Sequence, residues 1–364
     1  MLTKEIASTI VKETSLRLDR NINIMDEHGI IIASRNSSRI GDIHEGALAV
    51  LKTGKTVTIS EEQAKELKGS QPGINLPIVF KDIIVGVIGI TGNPIETQDF
   101  GGLVKMTTEL MIMQNYISTQ LEWQQRTKDM ILEELLKSVP SITNIERGLS
   151  LLEKRLHPPF ISCVIQMNER SISNNTLIKQ LELTISGQNA IIGFININRI
   201  FIAFSECTLT ETSKVFDRIA HELRRLKVSH RLSFSTPFSD IKNFQESYLD
   251  CDLALDITDK TLEIVPFSKV ESKALIYKIK WEDAEKFSKR IMNSTLKSYL
   301  ETLEAFFDHN LNIQNTADAL FIHRNTLIYR LNKIKEETGY DPKDFRDALT
   351  LQLAIWATNK IELG

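Results

Sequence analysis

The first hundred residues alternate between helical and strand-like spacing of their apolar side chains. Residues 1 to about 20 carry apolar side chains on one side of a predicted helix. β-branched runs on either side of residues 26–29 predict a hairpin, and a second hairpin is predicted to turn at Lys81 and Asp82. The order helix, hairpin, helix, hairpin predicts an antiparallel sheet with helices on one side.

The helix predicted between the two hairpins has clear end signals. Asp42 can cap its N-terminus, and Glu45 three residues later can complete a capping box. Gly54 can end the helix in a left-handed conformation. Because the first N–H groups of a helix attract anions, this N-terminus is a candidate receptor for a carboxylate.

A long helix is predicted after the second hairpin. Residues 103–136 contain neither Pro nor Gly, and Val139 and Pro140 end the segment. Apolar side chains recur along it at spacings of three and four, at Leu103, Met106, Leu110, Met113, Ile117 and Leu121. Such a seam is typical of a coiled coil, and equally of a helix that packs on its own domain.

Strands and helices alternate again between residues 141 and 270, which predicts a second domain of mixed α/β type. Its central hairpin is predicted to turn at residues 196–199. Residues 283–364 are predicted to be almost entirely helical.

The segment ADALFIHRNTLIYRLNKIKEETGYDP, residues 317–342, predicts a helix-turn-helix. A short helix capped by Asn312 is followed by a break at residues 321–323 and by a second helix from about Arg324. Phe321 stands where many such motifs have Gly. No acidic residue occurs between residues 319 and 335, so the exposed side of the second helix is cationic, as contact with a polyanion requires.

The second helix also carries side chains of the types that read DNA in other proteins. A major groove admits one helix, in which Arg suits guanine, Asn suits adenine, and Lys, Thr and Tyr suit phosphates. The residues predicted to contact DNA are His323, Arg324, Asn325, Thr326, Tyr329, Arg330 and Lys333. A solvent-exposed charged helix in an ordinary bundle is the alternative interpretation of the same pattern.

Composition limits the remaining possibilities. The chain has 364 residues, 42% of them hydrophobic and 25% charged, and a formal net charge of −3, so any contact with nucleic acid must be local. Neither a signal peptide nor a membrane span is predicted, and no membrane partner is expected. The three cysteines are isolated from one another, which predicts a reducing cytoplasm and neither a metal site nor a cofactor.

Both ends of the chain resemble one known family. NTADALFIHRNTLIYRLNKIKEETGYDP resembles the C-terminal DNA-binding domain of the sugar diacid regulators and of the related purine-catabolism regulators. IIIASRNSSRIGDIHEGA, PGINLPI and VGVIGITGNP resemble the sugar diacid recognition domain. The resemblance implies a transcription factor, usually an activator, that senses a small carboxylated sugar such as glucarate, galactarate or glycerate. A purine-derived acid is an alternative ligand.

A diacid needs cationic or N–H groups at its ends and amide or hydroxyl partners between them. The residues predicted to bind it, from the resemblance and from this chemistry together, are Ser34, Arg35, Arg39, Gly41, His44 and Asn75. The alternatives without a ligand-binding role are that the two arginines are ordinary surface residues and that His44 lies on the helix exterior.

The order of elements in residues 141–270 resembles the nucleotide-cyclase-like domain of diguanylate cyclases. That family carries glycines and acidic residues in its central turn, whereas residues 196–199 here are Asn-Ile-Asn-Arg. A cyclase-type enzyme is therefore the competing hypothesis from another class, and the expectation is that the protein is not an enzyme.

The expected fold is a multidomain α+β chain. Residues 1–115 are expected to form a PAS/Cache-like ligand-sensing domain, and residues 116–139 a linker helix. Residues 140–275 are expected to form a degenerate nucleotide-cyclase-like domain, and residues 283–364 an all-α helix-turn-helix domain. Because one recognition helix reads few base pairs, a homodimer or higher homo-oligomer on double-stranded DNA is expected.

Overall fold

A computed structural model of the chain describes residues 2–67, 70–168 and 170–363. Contacts divide the chain into two compact units, Met1–Arg126 and Thr127–Gly364. The architecture is mixed α+β, with a sheet in each unit and a C-terminal helical region.

The sheet of the first unit has five strands in the order β2-β1-β5-β4-β3. The strands are β1 (Ile22–Met25), β2 (Ile31–Ser34), β3 (Val57–Ile59), β4 (Gly73–Phe80) and β5 (Ile83–Thr91), and all pairings are antiparallel. Both predicted hairpins are confirmed. Lys81 and Asp82 adopt the positive φ angles of a tight two-residue turn. β3 is a short edge strand that the pattern did not predict.

Helices cover both faces of this sheet. α1 (Lys4–Leu18) and α4 (Pro94–Leu135) pack on one face, whereas α2 (Glu45–Thr53) packs on the other with Met25 and Val87; α3 (Gln63–Glu66) is a short helix before β4. Ile24 and Met25 are neighbours in β1 and belong to different cores, because successive strand residues point to opposite faces. The prediction of helices on one side is therefore wrong.

The long helix α4 has 42 residues and begins at Pro94, nine positions before the predicted start at Leu103. It is held to the sheet through Val104 and Ile112, which are buried in the core. Glu109 Oε1 also accepts a hydrogen bond of 2.8 Å from the backbone N–H of Val79 in β4. The predicted seam lies on a different side of α4, and its six residues are 39% to 61% exposed. The alternative of a helix that packs on its own domain is therefore confirmed for the side that carries Val104 and Ile112, whereas the seam is exposed within one chain.

The second unit contains a sheet of five strands in the order β10-β9-β6-β8-β7. The strands are β6 (Phe160–Met167), β7 (Asn189–Asn196), β8 (Arg199–Ser205), β9 (His230–Phe234) and β10 (Ile264–Pro266), and only the β9–β10 pair is parallel. One face is covered by α6 (Asn174–Thr184) and α7 (Leu209–Arg225). The other is covered by the end of α4, α5 (Ile142–Leu151), α8 (Phe244–Ile257) and α9 (Glu271–Lys278). The predicted hairpin at residues 196–199 is confirmed.

The chain ends in six helices around one core. They are α10 (Trp281–Ile291), α11 (Ser294–Ser298), α12 (Leu300–Asp308), α13 (Ile313–Ala319), α14 (Arg324–Thr338) and α15 (Phe345–Leu363). Leu327, Leu331 and Ile334 of α14 are fully buried in that core, which leaves the cationic side of the helix facing outward. Lys360 anchors α15 to the end of α9 by donating a hydrogen bond to the carbonyl of Ile279.

Candidate ligand site and nucleic-acid interface

A row of polar residues crosses the first sheet beneath α2. Strand register aligns Ser34, Asn23, Gly89 and Asn75 side by side on β2, β1, β5 and β4. The row lies on the α2 face, because Asn23 and Gly89 are each two residues from the Met25 and Val87 that pack against α2. Asn23 and Asn75 are 1% and 3% exposed. Two buried amides therefore flank a glycine that has no side chain.

The amides of this row are unequally satisfied. Asn23 Oδ1 accepts a hydrogen bond of 2.6 Å from Ser34 Oγ. Asn75 Oδ1 is buried and accepts no hydrogen bond from the residues that the structure describes. A Cβ atom on Gly89 would lie only 2.8 Å from that oxygen, so Gly89 is what allows the amide to lie over the sheet. An unmatched buried acceptor costs about 1–3 kcal/mol, so Asn75 Oδ1 is a candidate to accept a hydrogen bond from a bound molecule.

The N-terminus of α2 lies over the row. His44 caps the helix, and its Nδ1 atom accepts a hydrogen bond of 3.2 Å from Ala47 N–H. Gly46 N–H donates to Ser70 Oγ at 3.1 Å. A Cβ atom on Gly46 would lie 3.0 Å from Asn75 Nδ2 and 3.1 Å from His44 Cε1, so both side chains lie beside Gly46. The predicted cap at Asp42 is therefore wrong, because His44 stands two residues nearer to the helix and is aimed into it.

His44 is a neutral imidazole at physiological pH. Its side chain is buried, and burial together with the nearby cation of Arg39 lowers the pKa of His44 from 6.5 to about 4. Because Nδ1 accepts from Ala47, the neutral ring carries its proton on Nε2 and can donate from there. The alternative that His44 lies on the helix exterior is wrong.

Acid is expected to destabilise the first unit through His44. The folded state binds fewer protons than the unfolded state between the folded pKa of about 4 and the ordinary value of 6.5. Stability is therefore intact above pH 6.5 and is lost as the pH falls toward 4, by about 2 kcal/mol at pH 5. His44→Asn keeps a side-chain cap without titrating, so its melting temperature should fall less between pH 7 and pH 5. Equal losses in the two proteins would show that another group is responsible.

The remaining predicted ligand residues are dispersed. Arg39 is half-buried and close enough to His44 to influence its charge. Gly41 is exposed and adopts φ +98°, so it forms the turn before α2. Arg35 is exposed and pairs with Asp19 at 3.2 Å.

Ser34 and Arg35 also line a separate cavity. It has a volume of about 350 Å³ and lies between α1 and β2. The structure thus brings Ser34, His44 and Asn75 to the α2 face, with Arg39 near His44, and leaves Arg35 and Gly41 outside.

Four members of this cluster were not predicted: Asn23, Gly46, Ser70 and Gly89. Asn23 had a detectable signal, since it is the one amide inside the apolar strand INIM. Ser70 had no such signal, because nothing in its local sequence indicates that its hydroxyl reaches α2.

The C-terminal motif folds as two helices joined by a short turn. His323 caps α14, and its Nδ1 atom accepts a hydrogen bond of 3.2 Å from Asn325 N–H. Arg324, Asn325 and Thr326 are exposed in the first turn, and Tyr329 is exposed one turn later. Their exposure leaves this end of α14 available to a partner.

Two other predicted contacts are engaged within the protein. Arg330 Nη1 donates a hydrogen bond of 2.8 Å to the buried Thr302 Oγ1, and its guanidinium lies 5.9 Å from the Tyr299 ring centre. Lys333 pairs with Glu337 at 3.0 Å. Removing Arg330 would leave the buried Thr302 Oγ1 without this partner, so a variant here would alter the fold as well as the exposed surface of α14.

Family comparisons match both ends of the chain. A family model for sugar diacid recognition matches residues 2–135, and the model of the PucR C-terminal helix-turn-helix domain matches residues 299–357. The carbohydrate diacid regulator of Escherichia coli (strain K12) is 29% identical, over 97% of this chain and 97% of its own length. The chain belongs to the family of sugar diacid regulators.

Two other similar proteins cover different shares of the chain. The protein YsfB of Bacillus subtilis (strain 168) is 26% identical over 96% of each chain. The purine catabolism regulatory protein of the same organism is 38% identical over 84 residues, which is only 20% of this chain. The likeness to the purine regulator is therefore confined to one segment.

Membership of this family makes the chain a transcriptional regulator and not an enzyme. Arg199 lies at the central turn of the second sheet. Arg199 pairs with Asp252 of α8 and donates to the Tyr248 hydroxyl at 3.4 Å, so it is directed toward its own domain. Within residues 2–67, 70–168 and 170–363, no group of three or more His, Cys, Asp or Glu side chains is arranged to hold a metal ion. Among those same residues, no helix is both long and apolar enough to cross a membrane.

Proposed function

We propose that the chain is a cytoplasmic transcriptional activator that binds double-stranded DNA through α14 and senses a small hydroxy-carboxylate beneath α2. The observation that carries the ligand half is the buried polar row, in which Asn75 Oδ1 lacks a donor within the described chain. The exposed, acid-free first turns of α14 carry the DNA half.

A carboxylate can bind at the N-terminus of α2 by replacing Ser70 as a hydrogen-bond acceptor. Gly46 N–H donates to Ser70 Oγ, a neutral acceptor. An ionised carboxylate is a stronger acceptor and also gains from the helix dipole and from Arg39. It would displace Ser70 and accept a second hydrogen bond from His44 Nε2–H. The segment that carries Ser70 then moves, and this movement is the proposed signal.

The rest of the ligand is expected to be a hydroxylated carbon chain. A ligand hydroxyl can donate a hydrogen bond to Asn75 Oδ1, which would supply the donor that this oxygen lacks. Glucarate, galactarate and glycerate all combine a carboxylate with neighbouring hydroxyls. A purine-derived acid remains the second candidate, but the likeness to a purine regulator covers too little of the chain to favour it.

The intervening parts are assigned relaying roles. The strand order 2-1-5-4-3 with α2 over one face suits a PAS/Cache-like sensing domain. The second sheet is proposed as a degenerate cyclase-like spacer, because its central turn supplies Ile197 and Arg199 instead of glycines and acids. The seam on α4 is proposed to join two copies of the chain as a coiled coil, which would couple the paired α14 helices to the ligand.

Thermal unfolding tests the ligand assignment directly. A ligand at 100 times its Kd should stabilise the native protein by about 2.7 kcal/mol. Glucarate, galactarate, glycerate and allantoate are therefore compared by the shift in melting temperature that each produces. A shift with allantoate alone would favour the purine alternative, and no shift with any hydroxy acid would refute the ligand class.

Two variants locate the site. Asn75→Leu should abolish the shift without harming the fold, because it removes an amide whose oxygen is already unmatched. Arg35→Ala is the control, since Arg35 lies at the α1 cavity and pairs with exposed Asp19. If Arg35→Ala abolishes the shift and Asn75→Leu keeps it, the ligand binds in the α1 cavity.

A further inference from the structure

Phe321 occupies an unfavourable position in the turn between α13 and α14. Its side chain is 95% exposed, and its φ angle is +54°. A non-glycine residue rarely adopts this left-handed conformation, and a bulky aromatic residue is among the least suited to it. Exposure to water offers no compensating burial. Neither the backbone nor the core of the domain therefore explains a phenylalanine here.

The turn that carries Phe321 is well defined. Phe321 N–H donates to the carbonyl of Asp318 at 3.2 Å, and Ile322 N–H donates to that of Ala317 at 3.0 Å. Ile322 is partly buried against the core of the domain. Because the backbone is fixed on both sides, the ring of Phe321 is held in the solvent on a tight turn.

The surroundings of Phe321 are those of the DNA-binding end of α14. His323, the cap of α14, follows two residues later, and Arg324 and Asn325 are exposed in the first turn. The nearest acid in the sequence, Asp318, accepts a hydrogen bond of 2.8 Å from Gln314. In helix-turn-helix proteins the N-terminal residues of the second helix enter the major groove, so the adjoining turn comes near the duplex.

We propose that Phe321 is a DNA contact that packs its ring on an apolar part of the duplex, either a thymine methyl group or a deoxyribose. The proposal rests on the DNA binding proposed above. Thymine methyl groups are the apolar features of the major groove, and aromatic side chains contact them. A protein partner is less suited to this position, because the neighbouring exposed side chains are cations and an amide placed to meet a polyanion.

The test uses the full-length protein and a duplex that it selects from a random-sequence library. Phe321→Gly should weaken binding roughly tenfold, because it removes the apolar contact. Its melting temperature should not fall, since glycine accepts the left-handed conformation without strain. Phe321→Leu retains an apolar side chain and should bind more tightly than Phe321→Gly. Weaker binding combined with undiminished stability separates a DNA contact from a folding defect.

Thymine-to-uracil exchange in the selected duplex distinguishes the two apolar surfaces. If Phe321 packs on a methyl group, the exchange lowers the affinity of the native protein for the duplex and leaves the affinity of Phe321→Gly unchanged. If it packs on a sugar, the exchange affects neither protein, while Phe321→Gly still binds more weakly than the native chain.

Two outcomes would overturn the proposal. In the first, Phe321→Gly binds the duplex as tightly as the native protein does. In the second, it also binds as tightly, but it loses the activation of RNA polymerase in a purified transcription reaction. Arg324→Ala/Asn325→Ala, measured in the same titration, separates this failure from failure of the proposed function. If that variant loses binding and Phe321→Gly does not, DNA binding through α14 stands and Phe321 has no part in it. If the native protein selects no duplex, both proposals fall.

Discussion

Replacing Arg324 and Asn325 together with Ala is expected to weaken binding to the selected duplex by about 100-fold or more. Both side chains are exposed in the first turn of α14, and neither makes a hydrogen bond or an ion pair with the residues that the structure describes. A well-formed contact to a base edge contributes about 1–3 kcal/mol, so two of them account for the loss. A mobility-shift titration at fixed salt measures the effect.

The control for this variant is Lys286→Ala. It also removes one positive charge from the C-terminal domain, but from an exposed position on α10 outside the motif. It should change the affinity less than threefold if long-range charge alone is altered. Equal losses from the control and the double variant would mean that α14 is not the reading element. Both proteins are expected to keep the native melting temperature.

Arg330 illustrates why the sequence alone could not show which polar side chains of α14 face solvent and which contact another helix. Spacing shows which face of α14 is apolar, but it does not show which other helices stand beside the polar face. The guanidinium of Arg330 reaches Thr302 on α12, 28 positions away in the sequence. A variant at Arg330 would therefore mix loss of affinity with loss of stability. Arg324 and Asn325, at the free end of the helix, separate the two effects.

The elements of the fold were largely predictable because their signals are local. Glycine and polar turn residues mark both hairpins of the first sheet, and Gly54 ends α2 with φ +70° as its position suggested. The alternation of strands and helices in residues 141–270 also appears in the structure. Periodicity within a segment is sufficient to predict these features.

The site was less predictable because it is formed by register and layer order. Asn23 and Asn75 become neighbours of Gly89 only through the pairing of β1, β5 and β4. His44 faces this row because α2 packs on that side of the sheet. Both faces of the strands are apolar, so the sequence pattern does not show on which side α2 packs. Local sequence therefore singles out His44 and Asn75 as candidates, but it does not indicate that Gly89 lies between Asn23 and Asn75.

Introducing charge into the seam of α4 is expected to separate a dimer into monomers. The double variant Leu110→Glu/Ile117→Glu places two carboxylates on each helix where apolar side chains would meet. Each buried leucine or isoleucine contributes about 1.5–3 kcal/mol, so the dissociation constant should rise by at least about 1,000-fold. Sedimentation velocity over a range of protein concentrations measures it. Leu110 and Ile117 are 60% and 49% exposed within one chain, so the fold should be preserved.

The geometry of α4 supplies a matched control. At 100° per residue, Asn115 and Thr119 lie on the side of the helix opposite the seam, in line with the buried Val104 and Ile112, but both are exposed. Asn115→Glu/Thr119→Glu adds the same charge to the same helix and should leave the dimer intact. If both variants remain dimeric, the seam is not the interface. If only the seam variant dissociates, and it also loses affinity for a duplex with two half-sites, then α4 is the element through which two copies of α14 are paired.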